Sequence, residues 1–229
     1  MNRGAVAILL LVDIASGSRA WGYSRFVIGR YALYPVPGLR FFKVLGSGHE
    51  SGFGLRPSLS RQGLFCVFDD EDAADSFLTT SPVAAAYRAH AREFFAVKLH
   101  AFSCRGSWAG LSLPVNASAP VRGPIAALTR ASIRLQKARV FWQQAPLTQR
   151  SLEGAPGCLF SVGVGEAPLL RQATFTMWES VADMDAYARS GAHLVAIKAA
   201  QKHGYFSESM FVRFVPSGAQ GTWMGRSYG

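Results

Sequence analysis

Apolar residues run without a break from Ala5 to Val12 and stop at Asp13. Residues 5–14 therefore read as a buried first strand. Ser16-Gly17-Ser18 follows, and residues 19–33 read as a helix. Strands are expected over 39–45 and 62–68, joined by the glycine-rich stretch 46–54. The acidic run Asp69 to Asp72 opens helices over 70–92, and 94–102 reads as a strand. After a stretch containing Pro114, Pro120 and Pro124, the alternation resumes. Residues 125–135 are rich in β-branched side chains and predict a strand. Residues 137–149 read as a helix carrying Phe141 and Trp142, which Pro146 would shorten. Residues 158–164 and 172–178 read as a strand pair. Ser180 starts a helix with an acidic first turn, which suits the helix dipole. Gly191 breaks it, a second piece runs to about His203, and 210–215 closes the series as a strand.

The second half echoes the first. Phe68 and Trp178 each end a strand that leads into an acidic helix start, and they lie 110 residues apart. Gly106-Ser107-Trp108-Ala109-Gly110 returns as Gly221-Thr222-Trp223-Met224-Gly225, 115 residues on. Two echoes in the same order at nearly the same offset indicate a duplication. Each half then reads strand, helix, strand, strand, helix, strand, the ferredoxin-like βαββαβ motif. The expected fold is α+β, with tandem ferredoxin-like repeats forming a fused dimeric α/β barrel. The expected division is residues 1–111, a linker over 112–124, and residues 125–229.

Composition narrows the function. The chain has 229 residues, 49% hydrophobic and 17% charged, enough to bury a core. No apolar run reaches the roughly 20 residues that span a bilayer. The stretch after Asn2-Arg3 resembles a short signal peptide, but it is brief and the repeat gives it the role of first strand. Cys66, Cys104 and Cys158 form neither a paired framework nor a zinc spacing. The net charge is +10, spread over both halves, which is either a solvated basic surface or attraction to an anionic partner such as a membrane face or nucleic acid. No nucleic-acid-binding signature accompanies it.

Familiar catalytic motifs are absent. Gly46, Gly48 and Gly52 have the wrong spacing for a dinucleotide fingerprint, and no P-loop, nucleophile elbow or HExxH is present. The loop around His49 is either a flexible connection or a lid. Of the five histidines, His193 stands out. On a helix its same-face neighbours are Ala196, Ile197 and Ala200, so it is expected to point inward over a shallow space. Such an imidazole is either packed in the core or bound to an iron beside a flat macrocycle. Arg130 and Arg134, four apart on one strand, would share a face and are either carboxylate ligands or surface charges. Arg171 is a third candidate. Trp142 and Trp178 either wall a macrocycle or fill the core.

The segment Pro124 to Ala131 (PIAALTRA), with Phe141-Trp142, Val162 to Glu166 (VGVGE), Gln172 to Trp178 (QATFTMW), His193-x-x-Ala196-Ile197, Phe206-Ser207-Glu208 and Gly221-Thr222-Trp223, resembles the spheroidene monooxygenase family of carotenoid biosynthesis. Phe42-Lys43, Gly46-Ser47-Gly48 and Ser81-Pro82-Val83 fit the same family. The resemblance runs from about residue 4 to the C-terminus and is stronger in the second half.

The resemblance implies a haem-containing, O₂-using oxidoreductase that adds C-2 oxo groups to an acyclic carotenoid such as spheroidene. It also implies a relation to dimeric α/β-barrel haem proteins, whose proximal histidine lies on a late helix of the ferredoxin-like unit. His193 falls in that place, as the iron ligand, with Arg130, Arg134, Trp178, Ala196 and Ile197 around the cofactor. The partners expected are an apolar polyene, an electron donor such as a ferredoxin, an anionic membrane at the inner face, and a second copy of the chain. The alternatives are a haem-binding barrel enzyme, or a carrier, for a soluble molecule.

Overall fold

A computed structural model describes residues 4–48, 57–143, 152, 154–167 and 169–229, with backbone only at 57, 192, 193 and 201. The chain divides into two compact units. Unit 1 holds Met1–Gly46, Ser58–Ala101 and Pro216–Gly229; unit 2 holds Ser47–Pro57 and Phe102–Val215.

Unit 1 is built from β1 (Val6–Ile14), α1 (Arg19–Leu33), β2 (Leu39–Gly48), β3 (Pro57–Phe68), α2 (Glu71–Thr80), α3 (Pro82–Ala89) and β4 (Ala91–Gly106). Its strands lie in the order β4-β1-β3-β2, and β1 is antiparallel to both neighbours. The apolar run at the start of the sequence is β1, the central strand, and every residue of it is buried. The acidic segment opens two helices, as expected. Asp70 caps α2 by accepting from the Ala73 amide at 2.9 Å, and Ser81-Pro82 ends that helix and caps the next.

Unit 2 repeats the plan with β5 (Ile125–Ile133), α4 (138–143), β6 (Cys158–Ala167), β7 (Arg171–Trp178), α5 (Val181–Ala188), α6 (Gly191–His203) and β8 (Phe206–Trp223). Strand order is β8-β5-β7-β6, again antiparallel. Each unit is therefore ferredoxin-like and the fold class is α+β. Ser180 caps α5 as expected, accepting from the Asp183 amide at 3.2 Å. The strand expected over 125–135 ends at Ile133, where the ladder with β8 shifts and Leu135–Lys137 turns as a 3₁₀ helix. The rest of the helix expected over 137–149 lies outside the described residues. A short β9 (Arg226–Tyr228) folds back on β8.

The long strands β4 and β8 each run into both units. The tip of β4 and its Trp108 loop belong to unit 2, and the tip of β8 and its Trp223 loop belong to unit 1. The two loops dock in the same way. A Cβ on Gly106 would lie 2.0 Å from the Ser209 carbonyl, and one on Gly221 would lie 2.0 Å from the Phe94 carbonyl. Both glycines have positive φ, so no other residue fits there.

Candidate active site

The two faces of the unit 2 sheet differ in how they are filled. One face carries Leu128, Val162, Val164, Phe175, Met210, Val212 and Phe214, all essentially inaccessible to solvent. Ile125 and Ala127 point to the other face, where they pack with Met184 and Val181 of α5. Arg213, opposite Ala127, marks that same face by bonding Asp185 of α5 at 2.8 Å.

The duplication gives a built-in comparison for this helix-facing side. In unit 1, Val6 pairs with Phe68, Ile8 with Cys66 and Leu10 with Leu64. In unit 2, Ile125 pairs with Trp178, Ala127 with Thr176 and Thr129 with Thr174. Register thus aligns Ile8 with Ala127, Leu10 with Thr129, Val12 with Ala131 and Leu64 with Thr174. The unit 1 residues are fully buried in one large cluster with Phe77, Leu78 and Tyr87 of α2 and α3. Their unit 2 counterparts are small, and Ala127, Thr129 and Thr174 remain half-buried at mid-sheet. Helix α6 is equally loosely packed. Leu194, Ala196, Ile197 and Ala200 are only half-buried, and none of the described side chains of α6 is fully buried. In α3, the unit 1 counterpart, Ala84 and Tyr87 are.

Close packing is the rule in protein interiors, and removing several methylenes from one layer would leave a costly void. The helix-facing side of the unit 2 sheet has lost side-chain volume and gained threonine hydroxyls. Its walls are flat: Ala127, Thr129, Ala131, Gly163 and Thr174 on the sheet, and alanines on the helix. These walls suit a thin apolar group such as a tetrapyrrole or a polyene.

His193 lies in the first turns of α6, and its side chain falls outside the described residues, as does all of His49. Ala196 and Ile197 lie on α6, beside the thinned layer. Trp178 closes the far end of the layer, packed on Tyr187 at 5.2 Å and donating from Nε1 to Thr176 Oγ1 at 2.8 Å. It serves the core cluster with Ile125 and Met184. Trp142 is partly exposed and donates to the Leu169 carbonyl at 2.8 Å. His203 stacks on Tyr205, and the two line a groove of about 250 Å³ with Lys137 and Val140. That groove is shallow and lies at the C-terminal end of α6. Among the described residues no group of three or more His, Cys, Asp or Glu side chains gathers as a metal cluster.

Arg130 and Arg134 do not share a face, because the strand ends between them. Arg134 is exposed and donates through Nε to the Phe206 carbonyl at 3.2 Å. Arg130 is 3% exposed and sits on the packed face, away from α5. Its two terminal nitrogens are held by carboxylates, Nη1 by Glu208 and Nη2 by Glu166 at 3.1 Å. The Trp108 ring covers the guanidinium at 5.5 Å, and Trp108 Nε1 donates to the same Glu166 oxygen at 2.7 Å. Glu208 also accepts from Ser107 Oγ at 3.1 Å and from the Gly110 amide at 3.0 Å. Burial pushes the Glu208 carboxyl up. The amides of Gly110 and Ala109 and the Arg130 guanidinium outweigh that and hold it at about 2.

Sequence reading did not find Glu166 and Glu208 as partners of Arg130. One signal was available. Glu93 lies 115 residues before Glu208, and in unit 1 it accepts from the Met224 and Gly225 amides at 3.0 and 2.7 Å. Loop and glutamate are thus duplicated together, but each loop meets the glutamate from the other half of the sequence.

No family model matches the chain. Curated proteins do. Spheroidene monooxygenase of Rubrivivax gelatinosus is 57% identical over 226 residues, spanning 99% of this chain and 88% of the relative. Spheroidene monooxygenase of Rhodobacter capsulatus is 36% identical over 215 residues, 92% of this chain and 89% of the relative. Among solved structures, an aldoxime dehydratase superposes with a TM-score of 0.63 at 11% identity, covering 93% of this chain and 81% of that one. At that identity the likeness is one of fold.

Proposed function

The chain belongs to the spheroidene monooxygenase family, and on that premise we propose that it introduces C-2 oxo groups into an acyclic carotenoid such as spheroidene, with haem held between α6 and the sheet of unit 2. It is an oxidoreductase of the monooxygenase type, and its oxidant is O₂. The observation that carries the haem reading is the thinning of one helix–sheet layer in a duplicated fold. Ile8, Leu10 and Leu64 fill that layer in unit 1; Ala127, Thr129 and Thr174 leave it thin in unit 2.

The residues present fit the group. His193 is the iron ligand of this reading, on a helix whose half-buried side chains Leu194, Ala196, Ile197 and Ala200 are small or aliphatic. Ala127, Thr129 and Ala131 give the macrocycle a flat floor, and Ala196 and Ile197 give it a roof. Arg134 is the candidate for a propionate: its two terminal nitrogens bond no other described residue. Arg130 holds its own carboxylates instead. Bound haem supplies the activation of O₂.

The remaining chemistry belongs to the substrate and its stoichiometry. Each hydroxylation at one carbon takes up one O₂, two electrons from a donor such as a ferredoxin and two protons from solvent, and releases one water. Two hydroxylations at the same carbon give a gem-diol, which loses water to become the ketone. That last step needs no acid–base pair. The apolar walls exclude bulk water and orient a polyene along the sheet.

The test is turnover. Purified protein with a reductant and spheroidene under ¹⁸O₂ should yield a ketocarotenoid carrying the label, and none under argon. Bound pigment or tetrapyrrole without product would instead make the protein a carrier.

A further inference from the structure

We infer that α1 is a membrane-docking helix, which seats unit 1 on an anionic lipid surface through a tyrosine-rich stripe. The choice of lipid as occupant rests on the carotenoid reading, since a polyene substrate resides in bilayers. No helix among the described residues is long and apolar enough to cross a membrane.

The helix has two unlike sides. Gly22, Gly29 and Leu33 face the unit and are buried, and Trp21 packs on Tyr87 and His90. Gly22 approaches Ile14 and Gln62 so closely that a Cβ would stand 3.1 Å from both. On the outer side Tyr23, Val27, Tyr31 and Tyr34 recur every three or four residues, which puts them in one stripe. They are 45%, 65%, 61% and 67% exposed, and Phe26 and Ile28 flank them at 45% and 49%. Six large apolar side chains on one exposed helix exceed the scattered single residues of an ordinary surface.

Charge selects the partner. Residues 14–49 contain Arg19, Arg25, Arg30, Arg40 and Lys43, and no aspartate or glutamate. Arg40 is paired with Asp69 of unit 1. Arg25 lies over the Trp21 ring at 4.8 Å and Arg30 over the Tyr31 ring at 5.4 Å, so cations and rings alternate along the surface. Tyr34 meets Phe42 edge-on at 5.3 Å, extending the aromatic patch onto β2. Tyrosines take up the water–lipid boundary, with the ring in the apolar zone and the hydroxyl in the headgroups, while arginines pair with phosphates. A stripe meant for a second copy of the same helix would set like charges against each other. A lipid surface of opposite sign does not.

The experiment is co-sedimentation of the purified chain with vesicles of phosphatidylcholine alone, and of phosphatidylcholine mixed with phosphatidylglycerol. The wild type is expected to bind the mixed vesicles and to lose most of that binding in high salt. Val27→Ser/Tyr31→Ser/Tyr34→Ser should weaken binding by about tenfold or more. Arg19→Gln/Arg30→Gln should reduce the preference for phosphatidylglycerol. Because all five side chains are exposed, melting temperatures should stay at the wild-type value. Wild-type binding to neither vesicle overturns the inference. So does a serine triple variant that binds as the wild type does, or one that merely converts a dimer to a monomer. Vesicle binding needs neither haem nor carotenoid, so its failure is separable from failure of the oxygenase reading. Turnover of detergent-dispersed spheroidene should survive the serine triple substitution.

Discussion

Leu11 and Arg130 occupy the same position in the two sheets. Leu11 on β1 pairs with Phe95, and Arg130 on β5 pairs with Met210, 115 residues further on. Both are buried, one among hydrocarbon and the other among two glutamates and a tryptophan. Removing one partner of a buried pair leaves the other charge uncompensated. Arg130→Ala is therefore expected to destabilise the fold by about 3 kcal/mol or more. Arg134→Ala, at an exposed site, should stay within about 0.5 kcal/mol of the wild type. Urea unfolding monitored by tryptophan fluorescence measures both.

Acid should expose the same cluster. The Glu208 carboxyl sits at about 2, below its ordinary 4.5. A depressed carboxyl contributes stability that is complete above the unfolded value and is lost as pH falls toward the folded one. Glu208's share should therefore be full above about pH 5 and disappear between 4.5 and 2. In Glu208→Gln the urea midpoint should fall less steeply over that window, although it starts lower at neutral pH.

The loop glycines form a graded series. Gly106→Ala and Gly221→Ala put a Cβ into a carbonyl oxygen at positive φ, and each should cost about 3 kcal/mol or prevent folding. Gly110 and Gly225 also have positive φ, but open space surrounds their Cβ positions. Their alanine variants should cost only about 1–2 kcal/mol. Thermal melts of the four variants test the order.

Much of this fold is written in the sequence. The apolar run of β1, the Ser81-Pro82 break and the recurring Gly-x-Trp-x-Gly loops give the elements and the duplication. α5 ends at Ala188 and α6 opens at Gly191, whose φ is +53°, close to where the pattern places a break. Less was legible wherever a residue's role depends on what lies across the sheet. Arg130 and Arg134 look like neighbours by spacing, yet a register shift at Ser132/Ile133 ends the strand and separates them. Glu166 and Glu208 lie 36 and 78 residues from Arg130, and nothing local to either marks it as the partner of that arginine. The thinned layer shows only when paired registers are laid side by side. Ala127 and Thr129 are unremarkable residues until Ile8 and Leu10 stand beside them.

That layer supplies a reciprocal pair of substitutions. Ile8→Ala in unit 1 opens a void in a packed cluster and should cost about 2–5 kcal/mol. Ala127→Ile/Thr129→Leu in unit 2 restores the unit 1 residues at the matching places. It should leave the melting temperature of the cofactor-free protein unchanged or raise it, while abolishing carotenoid turnover. Calorimetry and product analysis read the two effects separately.

Whether haem sits beneath α6 on His193 is read from the absorption spectrum of the purified protein. The wild type should show a Soret band, displaced or lost in His193→Ala and absent in Ala127→Ile/Thr129→Leu. A wild type without the band, or a band that both variants keep unchanged, would contradict it.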